Sequence, residues 1–104
     1  MFNDKILSYI KKLLDFSENG KIQWTYNSDE VSIFAKVKGN DLTITYFFDE
    51  NRELGFYRLD IASEGNEASY TVWDGENGYE QCRQLIDIAS SNKFDLNLSE
   101  DDFS

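Results

Sequence analysis

Apolar residues recur along this chain with two different periods, and the switches between them mark out its elements. Over residues 3–16, Ile6, Leu7, Ile10, Leu13 and Leu14 fall at helical spacing, opposite Lys5, Ser8, Lys11, Lys12 and Asp15. An amphipathic helix is expected there. Asn3 offers an N-cap, and Asn19 or Gly20 offers a left-handed stop.

From residue 21 to residue 74 the period becomes two, which predicts strands near 21–27, 30–38, 42–49, 55–62 and 67–74. Every break carries turn chemistry: Asn27-Ser28-Asp29, Gly39-Asn40-Asp41, the stretch 49–54, and Glu64-Gly65-Asn66. Loops this short join antiparallel neighbours, so the strands form a meander.

Helical spacing returns over 76–90, where Tyr79, Cys82, Leu85, Ile86 and Ala89 oppose Glu80, Arg83, Gln84 and Asp87, with Asp74 or Asn77 as the cap. Beyond it Phe94, Leu96 and Leu98 alternate as an edge strand or extended arm, and residues 99–104 form an acidic tail. The expected fold class is α+β: helix, five-stranded antiparallel meander, helix, with both helices on one sheet face. One domain over 1–98 is followed by the tail over 99–104.

Alternation sorts the strand residues into two faces. Ile22, Trp24, Tyr26, Val31, Ile33, Ala35, Val37, Leu42, Ile44, Tyr46, Phe48, Tyr57, Leu59, Ile61, Ala68, Tyr70 and Val72 form the expected core face. The other face is polar apart from Phe34, Phe47, Phe56 and Trp73. If the Gly39-Asn40 turn sets Val37 opposite Leu42, Phe34 and Phe47 become diagonal neighbours, with Arg58 beside Phe47 and Phe56 beside Trp73. These four aromatics are a candidate contact patch. Only Lys36 and Arg58 flank it, so direct nucleic-acid binding by base stacking is not expected.

Composition narrows the chemistry. The chain has 104 residues, no histidine and one cysteine, Cys82. Ser-His-Asp and Cys-His catalysis, an internal disulfide and an ordinary zinc site are thereby excluded. No glycine-rich phosphate loop occurs, which leaves only carboxylate chemistry for an enzyme. The stretch Asp74-Gly75-Glu76-Asn77-Gly78 resembles the start of a calcium loop, but Tyr79 stands where glycine is needed and Leu85 where the closing acid is needed. No cofactor, no metal and no catalytic activity are expected. Without a run of 18 apolar residues or a basic-then-apolar leader, no membrane association is expected and the reading is cytoplasmic.

Charge changes the picture most. Residues 1–48 hold six acids and six bases, whereas 49–104 hold fourteen acids and four bases, so the net charge of −10 lies in the second part. The candidate partner-binding carboxylates are Asp60, Glu64, Glu67, Asp74, Glu76, Glu80, Asp87, Glu100, Asp101 and Asp102. A negative surface steers toward a basic partner and takes the places that nucleic-acid phosphates would occupy on it.

The first expectation for function is a small acidic non-catalytic inhibitor, monomeric or a simple dimer, that occludes a basic nucleic-acid-handling protein. Anti-CRISPR, anti-restriction and toxin-immunity proteins are of this physical type. The alternative is a dimeric acidic chaperone or adaptor. In size, acidity and mixture of helix and strand the chain resembles type III secretion chaperones, a resemblance that implies docking of an extended client segment on the sheet.

Overall fold

A computed structural model describes residues 1–93, and the side chains of 1–91. The alternating segment over 94–98 and the acidic tail over 99–104 lie outside the described residues. The order is α1 (Asp4–Glu18), β1 (Thr25–Asn27), β2 (Ser32–Val37), β3 (Asn40–Asp49), β4 (Leu54–Ser63), β5 (Asn66–Trp73) and α2 (Tyr79–Lys93). The strands form one antiparallel sheet in the order β1-β2-β3-β4-β5, the expected meander.

Local chemistry fixes the ends of α1. The Asn3 carboxamide accepts the Ile6 N–H at 2.9 Å, satisfying one of the four free donors of the first turn. At the other end Gly20 takes φ 72, while Lys21 N–H donates to Phe16 O and Gly20 N–H to Ser17 O at 2.8 and 3.1 Å. This is a Schellman stop. α2 starts later than periodicity suggests: Cys82 N–H donates to Gly78 O, so neither Asp74 nor Asn77 directly precedes its first turn.

Ile10 and Leu13 of α1 and Cys82 and Leu85 of α2 meet Ile33, Leu42, Ile44, Leu59 and Val72 in one cluster, all essentially without solvent contact. Each such aliphatic side chain contributes about 1.5–3 kcal/mol through burial. Tyr79 anchors the start of α2 by packing on Tyr57, ring centroids 4.9 Å apart, and Tyr57 packs on Tyr46 at 5.2 Å. Both helices therefore cover one sheet face. Among the described residues the other face carries none.

Three expectations need correction. The first strand is three residues long, not seven, because residues 21–24 leave the sheet; Trp24 and Ile22 are buried beside α1 instead. The β2–β3 turn is Lys38-Gly39, both at positive φ (50 and 82), the two-residue hairpin whose twist matches the strands. Val37 consequently pairs with Asn40, and Leu42 with Ala35. This two-residue shift keeps every side chain on its face but sets Phe34 opposite Thr43, so Phe34 and Phe47 are not diagonal neighbours. Finally, Val31, Phe48 and Ala68 are exposed: Ala68 lies on the edge strand β5, on the rung whose inner members Leu42 and Ala35 are buried, Val31 lies in the turn before β2, and Phe48 lies near the end of β3.

Candidate functional site

The helix-free face is organised in rungs. One joins Phe47, Phe56 and Trp73 directly across β3, β4 and β5, with ring centroids 5.1 Å apart for the first pair and 4.5 Å for the second. Arg58 lies over Phe47 and Arg52 over Trp73, each guanidinium carbon 4.9 Å from the ring centre. Stacking leaves these three rings half-buried, and each pair adds about 0.5–1.5 kcal/mol beyond its burial. Phe34 stands apart, two rungs away between Thr25 and Thr43, and is 42% exposed.

Several of the carboxylates singled out from sequence already have partners inside the molecule. Asp60 accepts from Arg58 Nε at 3.0 Å and from the Ser69 hydroxyl at 2.5 Å. Glu76 accepts the Trp73 N–H at 2.8 Å and lies 3.5 Å from the Met1 ammonium. Arg83 joins Glu80 and Asp87 in one bridge along α2, with Nη1 donating to Asp87 at 2.6 Å. The Arg83 hydrogen bond holds the Glu80 carboxyl below its ordinary value. Glu64, Glu67 and Asp74 are exposed and have no ion pair among the described residues. Glu100, Asp101 and Asp102 lie outside the described residues.

A different grouping emerges from the topology. In a meander, alternate turns share an end, so residues 28–31, 50–53 and 74–78 all gather at one end of the sheet. Tyr46 N–H donates to Val31 O, and Asp74 N–H to Gly55 O, each at 3.0 Å, tying the first and last of these segments to their neighbours. Asp29, Glu30, Glu50, Glu53 and Asp74 project from this end, all exposed. At the same end Val31, Phe48 and Leu54 are exposed by 36%, 56% and 38%. Of the cations near this end, Arg52 is engaged with Trp73 and, at 3.7 Å, with Asp49, the Met1 ammonium lies by Glu76, and Lys11 lines a depression with Glu76 and Asn77. The end thus carries exposed apolar side chains, with Phe48 and Leu54 on opposite faces by register, together with exposed carboxylates.

Four of those five acids were not singled out from sequence. Counting charge by halves separated Asp29 and Glu30 from Glu50 and Glu53, whereas counting by alternate turns would have joined them.

Other chemistry is sparse. Cys82 is fully buried, and burial pushes its thiol up to about 12. Among the described residues no group of three or more His, Cys, Asp or Glu side chains is placed to hold a metal ion, and no helix is long and apolar enough to cross a membrane. Comparison with protein-family models, curated proteins and solved structures found no match to this chain.

Proposed function

We propose that this protein is a non-catalytic inhibitor that occludes a basic, nucleic-acid-handling surface of a cytoplasmic partner, and that it does so with the loop end of its sheet. One observation carries the reading: exposed Asp29, Glu30, Glu50, Glu53 and Asp74 lie at the same end of the sheet as exposed Val31, Phe48 and Leu54. Exposed carboxylates supply steering and discrimination, while exposed apolar side chains supply the desolvated contact that holds a complex together. Glu80 and Asp87 are weaker candidates, because Arg83 already balances part of their charge.

The test is competition. A partner captured at low ionic strength is purified with its nucleic acid, and this protein is titrated in. Displacement of the nucleic acid is expected, lost on Glu50→Lys with Glu53→Lys and weakened by salt, but little changed by Glu80→Lys with Asp87→Lys. Displacement that ignores Glu50 and Glu53 would sink the reading.

The chaperone or adaptor alternative draws its support from the helix-free sheet face, on which Phe34 is exposed. It predicts binding that tolerates salt and depends on Phe34, Phe47, Phe56 or Trp73.

A further inference from the structure

The early departure of the chain from β1 leaves part of the sheet edge open. β1 pairs with β2 only as far as Thr25 opposite Phe34, while β3 continues along β2 to Asn40 opposite Val37. Among the described residues, Ala35, Lys36 and Val37 therefore have a strand on one side only. Residues 21–24 are held away from that edge by Trp24, whose indole N–H donates to Ser17 Oγ, and by the Lys21 N–H bond to Phe16 O. Between them and β2 lies a groove of about 540 Å3 with Phe16, Ile22 and Val37 on its floor and Lys21, Lys36 and Lys38 around it.

Charge makes this groove unusual for a molecule of net charge −10. Lys12 joins the same lysines through an adjoining depression that shares Phe16, Val37 and Lys38. Among the described residues, the ion pair that these lysines make is with Asp41, whose Oδ1 is 3.6 Å from Lys36 Nζ, with that lysine side chain 71% exposed. Lys21 Nζ lies 5.6 Å from the centre of the Phe16 ring. Four cations thus repel one another around an apolar floor, and an anion arriving there relieves the repulsion.

We propose that this groove binds an extended acidic peptide from a partner protein, added to the sheet as a strand beside β2. The edge supplies backbone groups for strand addition, and strand geometry sends alternate side chains to opposite faces. Val37 points to the helix-covered face and Lys36 to the open one, so the fitting peptide alternates apolar residues, set against Phe16, Ile22 and Val37, with carboxylates, set against Lys36. Lys21 and Lys38 meet acids at its flanks. A bare edge also invites unwanted pairing, and lysines there deter strands that lack complementary charge. This site lies away from the loop end and carries the opposite charge, so it stands or falls separately from the inhibitor reading.

Hydrogen exchange read by NMR on the full chain tests it, with a synthetic peptide alternating Leu with Asp or Glu and a control alternating Leu with Lys. The acidic peptide is expected to bind at low salt, to slow exchange of an edge-facing amide between Ala35 and Lys38, and to bind at least about tenfold more weakly to Lys21→Glu with Lys38→Glu. Glu50→Lys with Glu53→Lys should leave peptide binding unchanged. Four results would overturn the proposal: no binding, equal binding of polyphosphate, slow exchange at this edge before any peptide is added, or concentration-dependent self-association abolished by the lysine variant. The third would mean the chain already covers its own edge, and the fourth that a second copy does.

Discussion

Trp24 donates its indole N–H to Ser17 Oγ at 2.7 Å with both side chains buried, a bond between the last turn of α1 and the segment entering β1. It sets the path of residues 21–24, and through that path the width of the groove beside β2. Ser17→Ala leaves a buried donor unsatisfied and should cost about 1–3 kcal/mol. Urea unfolding measures the loss, and exchange at residues 35–37 should report the disturbed edge.

Gly55 is packed under Tyr46. A Cβ at this position would lie 2.5 Å from the Tyr46 hydroxyl oxygen and 2.8 and 2.9 Å from two ring carbons. Gly55→Ala should therefore destabilise by about 1–3 kcal/mol through overpacking. Adding Tyr46→Ala should make the double variant more stable than the sum of the two single losses, the non-additivity expected of side chains in contact. Strict additivity in thermal or urea unfolding would contradict the packing.

Phe56 stacks on both Phe47 and Trp73, whereas Phe34 stands on a rung of small polar residues. Phe56→Ala should lower stability by about 2 kcal/mol or more. Phe34→Ala should stay within about 0.5 kcal/mol, as an exposed substitution does. Comparable losses in denaturant midpoints would show that the aromatic rung is not a structural unit.

The Cys82 thiol is raised to about 12 by burial, against about 8.5 in an unfolded chain. The buried site favours the neutral thiol, so its contribution is complete below about pH 8.5 and is lost as pH rises toward 12. Stability should fall over that window, and Cys82→Ala should fall less steeply. Tyr57 is also raised, chiefly by burial, and adds its own fall above about pH 10, so the two proteins are best compared between 8.5 and 10. A thiol reagent at pH 8 should label Cys82 only as fast as the fold opens.

Period and turn chemistry made the element order, the meander and the shared helix face legible in the sequence, because each depends on neighbours a few residues apart. The β1 length was not legible: Gln23 and Thr25 alternate with Ile22 and Trp24 as a strand should, and only the buried Ser17 partner shows why the chain leaves the sheet. Register failed for a related reason. Both Gly39-Asn40 and Lys38-Gly39 are plausible turns by composition, and the structure uses the pair in which a lysine accepts positive φ. Charge location failed at the level of pairing. Arg83 and Arg58 take up Glu80, Asp87 and Asp60, while the exposed carboxylates of the loop end come together only when the strands are assembled.

Val31 sits at φ 48, a left-handed backbone setting that a β-branched residue enters only at a cost on the order of 1–3 kcal/mol. Glycine or asparagine would fit that bend with less strain and would leave its carbonyl free to receive Tyr46 N–H. Ease of folding therefore gives no reason for an isopropyl group at this point. What a valine offers there, and the easier residues do not, is a greasy knob held at a fixed angle toward whatever approaches.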